Sequence, residues 1–272
     1  MGGHSGENIG EGRQNSNIIA LGLLKRLISD SCTELVSICG GSKDNAIPRS
    51  TEALMLTDDI SEVARICNEV ENSLRPSLIE LDRGFYISCE SVDLSADKVV
   101  ESGFALALIE LLLDIKNGVL KMSEDIEGLV EFSRNFAVIA TDNDTLRVCF
   151  SSRSAKDEQI DESVSELISK AERLDGEVSH RGRYPGWDYS GDSPLADRYI
   201  EVARRVCGLE VEKTIIHAGL ECGLMKQAIP TLEMISCGPN CPDLHSPSER
   251  LEIASLDRVF EIISEMLKIK EN

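Results

Sequence analysis

Residues 135–152 read Asn-Phe-Ala-Val-Ile-Ala-Thr-Asp-Asn-Asp-Thr-Leu-Arg-Val-Cys-Phe-Ser-Ser, and they contain two apolar segments with a polar turn between them. The two apolar segments, 135–140 and 146–152, are rich in residues that favour strands. Between them, Asp142-Asn143-Asp144 is a turn sequence of the kind that closes a β-hairpin. The stretch therefore predicts two neighbouring antiparallel strands.

Hydrophobic periodicity predicts further helices and strands on both sides of this hairpin. Apolar residues at helical spacing predict helices that follow the glycine-rich loop of residues 1–12, begin near Asp59, open at Ser95 and cover residues 155–174. Segment 46–56 is a candidate strand, and alternating apolar residues predict another over 84–92. Helices mixed with hairpins indicate an α+β domain over residues 1–180.

The composition changes near residue 180, where a Pro- and Gly-rich aromatic segment begins. Beyond it, Ser193-Pro194 predicts a helix start with a capping serine. Strands are predicted over 211–216 and 232–236, and a last helix over 255–269. Alternating helices and strands indicate α/β structure over residues 181–272, so the fold class of the whole chain is α/β with an α+β first domain.

Charge and composition exclude several classes of protein. The 272 residues carry 28 Lys+Arg against 48 Asp+Glu, a formal net charge of −20, and 4% aromatic residues. These values disfavour nucleic acid as a partner, because binding it requires cations and stacking aromatic rings. No apolar run is long enough to span a membrane, and the first residues do not resemble a signal peptide. Nine cysteines, an odd number, then indicate reduced thiols in a cytoplasmic protein.

Histidines in loops are the first candidates for a functional site. His4, His217 and His245 lie in glycine- or proline-rich segments at the ends of predicted elements. Glu221 follows His217 by four residues, and Arg153 stands at the end of a predicted strand, where it could bind a carboxylate. The alternative for each histidine is a turn or surface position, and for Arg153 a surface ion pair.

Several motifs, taken together and in order, resemble the aminoacyl-histidine dipeptidases, a family that includes bacterial carnosinase-like enzymes. The two most specific are His217-Ala-Gly-Leu-Glu-Cys-Gly and Tyr184-Pro-Gly-Trp. The others are Gly2-Gly-His-Ser-Gly with Arg13 and Asn17, Asn117-Gly-Val with Met122-Ser123, and Ile235-Ser-Cys-Gly-Pro followed by His245-Ser-Pro. The matches extend from residue 2 to about residue 250.

The resemblance implies a zinc peptidase built from a catalytic α/β domain and an inserted α+β lid. Residues 1–180 then correspond to the lid, or dimerisation-type domain, without its first strand, and residues 181–272 to the C-terminal part of the catalytic domain. The implied activity is metal-dependent hydrolysis of dipeptides with a C-terminal histidine. Two zinc ions in the complete site would activate a water molecule.

The resemblance also implies roles for two of the histidines. His245 corresponds to a metal-ligating histidine, so this chain would supply one zinc ligand. His4 corresponds to the lid histidine that stabilises the oxyanion of the scissile carbonyl, and is the catalytic candidate.

Four further residues correspond to substrate contacts. Arg153 resembles the lid arginine that holds the terminal carboxylate of the substrate. His217 and Glu221 resemble pocket-lining residues, and Asn135 is a weaker candidate for the same kind of contact.

The family's His-x-Asp motif, bridging aspartate and Glu-Glu pair are not found in this sequence. We therefore expect the chain to correspond to the C-terminal portion of such an enzyme and to be inactive alone. Its partners would be a dipeptide substrate and either a complementing N-terminal half or a second copy in a homodimer. The alternative is a non-catalytic binding or oligomerisation module derived from the lid.

Overall fold

The computed structural model describes residues 2–31, 33–92, 98–124, 127–154, 156–184, 187, 193–214, 221–242 and 249–268. The chain divides into two compact units, Met1–Arg181 and Gly182–Asn272, called unit 1 and unit 2 below. Helices and sheets occur together, so the predicted mixed α/β class is confirmed. The further identification of the units as a lid and part of a catalytic domain stays a prediction.

Unit 1 combines antiparallel sheets with helices. Its strands are β1 (Gly3–His4), β2 (Glu34–Gly40), β3 (Ala46–Ile47), β4 (Thr51–Leu56), β5 (Gly118–Met122), β6 (Val130–Asp142) and β7 (Thr145–Ser154). Its α-helices are α1 (Ser16–Asp30), α2 (Ile60–Leu74), α3 (Ser102–Asp114) and α4 (Asp157–Glu172).

The long strand β6 organises the main sheet. It pairs with β7 along most of its length, while β2 and β5 pair with different parts of it and β4 extends the sheet beyond β2. The predicted β6–β7 hairpin is confirmed: Asp142 pairs with Thr145, and Asn143 adopts a positive φ of 52° in the turn. Asparagine tolerates this conformation better than most residues, which explains its place there.

The core of unit 1 lies between one face of this sheet and the helices α1 and α3. Phe136 and Ile139 of β6 are almost completely buried against apolar residues of both helices. These include Leu21, Leu24, Ile28, Ile109 and Leu112. A smaller cluster joins α2 to α1 through Ile66 and Leu27. Burial of these side chains fixes which face of β6 points away from the helices.

Two predicted elements of unit 1 are wrong. Segment 84–92 forms no strand in the described residues 84–92; instead the Ile87 N–H donates to the Glu71 carboxylate at 2.6 Å, and Tyr86 is 74% exposed. The third helix begins at Ser102 rather than Ser95, because the Glu101 carboxylate caps it by accepting from the N–H groups of Gly103 and Phe104. Ser95 itself lies outside the described residues.

Unit 2 contains the helices α5 (Pro194–Cys207), α6 (Glu221–Ala228) and α7 (Ile253–Met266). The predicted start of α5 is confirmed, since Ser193 caps it and Pro194 is its first residue. Residues 211–214 and 232–236, which were predicted as strands, form none, while residues 215–216 lie outside the described part. Tyr199, Val202 and Ala203 of α5 bury themselves against Ile262 of α7.

Two further findings concern the whole described chain. All eight cysteines that the structure describes are free thiols. Among the described residues, no helix is both long and apolar enough to cross a membrane.

Candidate functional site

His4 is held in a short antiparallel pair at the start of unit 1. Its partner in β3 is Ala46, and its own N–H donates to the Asn8 side chain at 2.8 Å. The Nδ1 atom of His4 accepts from the Glu7 N–H at 3.2 Å. Because Nδ1 accepts, the neutral ring carries its proton on Nε2, which makes Nε2 a hydrogen-bond donor.

Glycine and arginine together shape the loop around His4. Arg13 donates through Nη1 to the Gly2 carbonyl at 2.5 Å and forms an ion pair with Glu11 at 2.7 Å. A Cβ atom on Gly3 would lie 2.6 Å from Arg13 Nη1 and 2.7 Å from Asn8 Oδ1. A side chain at residue 3 would therefore displace the Arg13 and Asn8 side chains from these positions.

Arg153 lies near the end of β7, directly opposite Ser133 of β6. Its Nη2 atom lies 3.5 Å from Ser5 Oγ, while its Nε is buried and has no hydrogen-bond partner among the residues that the structure describes. Burial lowers the pKa of Arg153 because it disfavours the charged form, and the negative charge of Asp44 opposes this effect. In the described chain, Arg153 forms no ion pair with a carboxylate within 4.0 Å.

Asn135 is buried and engaged at both ends of its side-chain amide. Its Nδ2 donates to the Ala46 carbonyl at 2.7 Å, and its Oδ1 accepts from Asn15 at 3.3 Å. Asn117 accepts from the Phe136 N–H at 2.7 Å beside it. In this arrangement the amide of Asn135 connects β6 to the strand that pairs with His4.

The structure thus brings three predicted residues of unit 1 to one place. Arg153 approaches Ser5, the residue after His4, and Asn135 binds Ala46, the residue paired with His4. Directly opposed residues in antiparallel strands share a face, so Arg153 and Asn135 lie on the face of β6 opposite Phe136 and the helices. Sequence reasoning missed Ser5, Asn15 and Ala46, since their role depends on contacts distant in sequence.

Close packing of backbone supports this arrangement. Gly41, between β2 and β3, has a φ of 70°, and a Cβ there would lie 1.9 Å from the Ala137 carbonyl oxygen. Only glycine fits at this position. The chain can therefore turn against β6 and place Ala46 within reach of Asn135.

A separate cleft lies on the other face of unit 1. Its volume is about 330 Å³, and none of the predicted site residues line it. Arg134 contributes to its wall and is fixed by hydrogen bonds to Ser163 at 2.9 Å and Glu166 at 2.7 Å. The cleft is thus distinct from the site that contains Arg153.

The remaining predicted residues belong to unit 2. Glu221 is described and is the first residue of α6, whereas the sequence placed it in a loop. His217 and His245 lie outside the described residues. Among the residues that are described, no group of three or more His, Cys, Asp or Glu is arranged to hold a metal ion.

Comparisons with known proteins place the chain among peptidases. The family model described as Peptidase family M20/M25/M40 matches residues 7–269. The cytosol non-specific dipeptidase of Escherichia coli is 30% identical over 269 residues, which are 98% of this chain and 55% of that protein. The chain therefore spans about half the length of this relative.

A solved structure shows the same likeness. The crystal structure of an aminoacylhistidine dipeptidase from Vibrio alginolyticus is similar with a TM-score of 0.79 and 30% identity. The similarity covers 99% of this chain and 56% of that one. Because the family model matches nearly the whole chain, from residue 7 to residue 269, the chain belongs to peptidase family M20/M25/M40.

Proposed function

We propose that this chain forms the substrate-carboxylate and oxyanion-binding part of a dipeptidase that acts on dipeptides with a C-terminal histidine. The proposal is supported by the family membership and by the names of the two dipeptidases to which the chain is similar. The observation that carries it is the buried, unpaired Nε of Arg153. We also propose that the complete enzyme hydrolyses these dipeptides.

Arg153 has the chemical properties of an anion-binding residue. A buried guanidinium without a carboxylate partner is costly, and the lowered pKa of Arg153 expresses that cost. A carboxylate that accepts two parallel hydrogen bonds from the guanidinium would satisfy Nε and offset the cost of burying its charge. The C-terminal carboxylate of a dipeptide is a ligand of this chemistry.

His4 has the tautomer required of an oxyanion donor. The Glu7 N–H donates to Nδ1, so the neutral ring carries its proton on Nε2. When a peptide carbonyl becomes tetrahedral, negative charge develops on its oxygen, and a positioned N–H donor stabilises that charge. Ser5, the residue after His4, lies 3.5 Å from Arg153 Nη2, which places the two proposed recognition groups in the same part of unit 1.

The resemblance adds further parts to this proposal. His245 would supply one ligand of a zinc site, which in a complete enzyme holds two zinc ions. His217 and Glu221 would line the substrate pocket, and unit 1 would be the lid domain. The proposed compartment is the cytoplasm.

The test compares β-alanyl-histidine with its C-terminal amide as ligands of the 272-residue chain. We expect the free acid to bind at least about tenfold more tightly than the amide, because only the acid carries the charge that Arg153 recognises. Arg153→Gln should remove that preference. Arg147→Gln, on the same strand but at an exposed position, is the matched control and should keep it.

Isothermal titration calorimetry measures both affinities directly. Equal binding of acid and amide by the wild-type chain, or an unchanged preference in Arg153→Gln, would contradict the proposal. The alternative of a non-catalytic module predicts that equality. A homodimer as partner stays a prediction that this experiment does not address.

A further inference from the structure

A buried arginine with unpaired nitrogen atoms lies in the wall of the cleft that β5, β6 and α4 form in unit 1. The Arg134 side chain is 1% exposed, and its Nη2 atom donates to Ser163 Oγ at 2.9 Å and to Glu166 Oε2 at 2.7 Å. Its Nε and Nη1 atoms are buried and have no hydrogen-bond partner among the residues that the structure describes. Because a buried donor without an acceptor costs free energy, these atoms indicate an acceptor from outside the described chain.

The cleft beside Arg134 has room for a small organic molecule. Its volume of about 330 Å³ lies within the range of ligand sites in proteins. Gly118 of β5 is paired with Arg134, so no side chain covers the arginine from that position. A Cβ atom at Gly118 would meet nothing within 4 Å in the described chain outside its own neighbours, so the space above β5 is open.

Both signs of charge and apolar carbon line this cleft. Besides Arg134, its lining contains two further cations, two carboxylates and two large apolar side chains. These are Lys116 and Lys121, Glu162 and Glu166, and Leu120 and Phe132. A ligand that matches them carries an anionic group, a cationic group and an apolar part. A free α-amino acid with an apolar side chain has this chemistry.

We propose that the cleft binds a free α-amino acid with an apolar side chain, whose carboxylate accepts hydrogen bonds from the guanidinium of Arg134. Its ammonium group then faces Glu162 of α4, and its side chain packs against Leu120 and Phe132. Since the unpaired nitrogen atoms of Arg134 are covered by protein, binding includes a shift of lining side chains.

An inorganic anion alone fits the cleft less well. Arg134 already forms an ion pair with Glu166, and the exposed Glu162 is on the same helix. Lys121 is engaged by Glu131 at 2.9 Å. A phosphate ion would meet the carboxylates of α4 without a positive charge of its own to offset them.

The test measures binding of L-leucine to the 272-residue chain by isothermal titration calorimetry. L-Leucinamide lacks the carboxylate, and N-acetyl-L-leucine lacks the ammonium group. We expect both to bind at least about tenfold more weakly than L-leucine, because each leaves one charge of the cleft unmatched. Inorganic phosphate is the probe for a plain anion site, and we expect it not to compete with L-leucine.

Two arginine variants locate the binding site. Arg134→Leu removes the guanidinium but keeps an apolar side chain, and it should weaken L-leucine binding by at least about tenfold. Arg153→Gln changes the other arginine with a buried, unpaired Nε, and it should leave the affinity within about twofold. Circular dichroism checks that both variants are folded.

A change on the surface keeps the test decisive if Arg134→Leu does not fold. Glu162→Gln alters an exposed residue and should lower the preference for L-leucine over N-acetyl-L-leucine by at least about fivefold. Glu158→Gln lies one helical turn earlier on α4, is also exposed and is outside the cleft lining. It is the matched control and should keep the preference.

Four outcomes would overturn the inference. The first is an absence of saturable L-leucine binding, which leaves Nε and Nη1 to ordered water. The second is an affinity that neither Arg134→Leu nor Glu162→Gln changes. The third is binding that Arg153→Gln abolishes and Arg134→Leu retains, since the amino acid then occupies the Arg153 site. The fourth is displacement of L-leucine by phosphate, which would indicate a plain anion site.

This inference goes beyond the proposed function and does not rest on it. The proposed function is tested by the preference for β-alanyl-histidine over its amide and depends on Arg153. A retained preference without L-leucine binding would overturn only the cleft inference. L-Leucine binding that depends on Arg134, without that preference, would overturn only the proposed function.

Discussion

The two units of the chain differ in how much apolar surface each buries within itself. Unit 1 places Phe136, Ile139 and nine further residues in one buried cluster between a sheet and two helices, and adds a second cluster under α2. Among its described residues, unit 2 has a cluster of four buried residues between two helices, while Ile253 and Phe260 of α7 are 72% and 73% exposed. Sequence composition alone does not show this difference.

Residues that start and cap a helix therefore do not ensure that the domain around it buries enough apolar surface to be stable. Each large apolar side chain contributes about 1.5–3 kcal/mol when fully buried, and this gain must offset the lost chain entropy. We expect unit 1, with these side chains buried around β6, to be the more stable of the two units. Among the described residues, unit 2 has a well-capped helix α5 but fewer buried apolar side chains than unit 1, so we expect its unfolding free energy to be lower.

The largest effect should come from core truncation in unit 1. Phe136→Ala leaves a cavity beneath β6 and should lower the unfolding free energy by about 3–5 kcal/mol. Phe104→Ala removes the same side chain from a 46% exposed position on α3 and should cost far less. Urea denaturation, monitored by hydrogen exchange of unit 1 peptides, measures the unfolding free energy of both variants.

Core truncation in unit 2 tests whether its buried cluster holds α5 and α7 together. Ile262→Ala should abolish the exchange protection of both α5 and α7, because Ile262 joins these helices. Ile263→Ala, one residue further and 39% exposed, is the control and should leave that protection in place. If α5 stays protected in Ile262→Ala, unit 2 has a stronger core than its buried cluster indicates.

The sequence predicted the parts of the fold that follow from local pattern. The hairpin and the start of α5 depend on turn and capping residues within a few positions, and both predictions are confirmed. Strand β2 was missed because a bulge between Leu35 and Ser37 interrupts its alternation of buried and exposed residues. The predicted strand 84–92 has the right alternation but no strand beside it, and no local pattern contains that information.

The sequence predicted which residues belong to the candidate site, but it did not predict the contacts between them. His4, Arg153 and Asn135 were singled out in advance, but their roles in catalysis and binding stay predictions. Their meeting through Ser5 and Ala46 joins positions up to 148 residues apart. Such contacts arise from the whole sheet, which explains why sequence reasoning named the residues but missed what connects them.

We also expect a contribution to stability that depends on pH, and it arises in unit 1. Glu131 of β6 is 8% exposed and forms ion pairs with Lys156 at 2.7 Å and Lys121 at 2.9 Å. Hydrogen bonds from Lys156, Lys121 and Gln159 lower the pKa of Glu131 from 4.5 to about 2. Its contribution to stability is therefore fully present above pH 4.5 and is lost as the pH falls through about 2.

Glu131→Gln should accordingly lower the unfolding free energy by about 1–2 kcal/mol at pH 7, since its lysine partners remain half exposed to solvent. The gap to wild type should narrow as the pH falls below about 4.5. Urea denaturation at pH 7, 4 and 3 gives the profile. Glu124→Gln, whose carboxylate is 84% exposed, is the control, and a constant gap for Glu131→Gln would show that the ion pairs do not cause it.

The smallest expected effect concerns two helix caps of similar chemistry in the two units. The Ser193 hydroxyl accepts from the Ala196 N–H at 3.2 Å at the start of α5, and Asp59 accepts from the Ser61 N–H at 3.0 Å at the start of α2. Replacement of either by alanine should cost about 1 kcal/mol. In unit 1 the faster hydrogen exchange should stay within α2, because α1, its partner in the smaller cluster, is also held in the larger one through Leu21, Leu24 and Ile28.

In unit 2 the same loss should reach beyond its own helix. The helices α5 and α7 share one small cluster, so an opening of α5 uncovers Ile262 and releases α7 with it. Ser193→Ala should therefore speed exchange in both helices by a similar factor, about fivefold for 1 kcal/mol. If α7 were unaffected, its protection would have to come from contacts other than α5, and the expectation that unit 2 unfolds as one small core would be wrong.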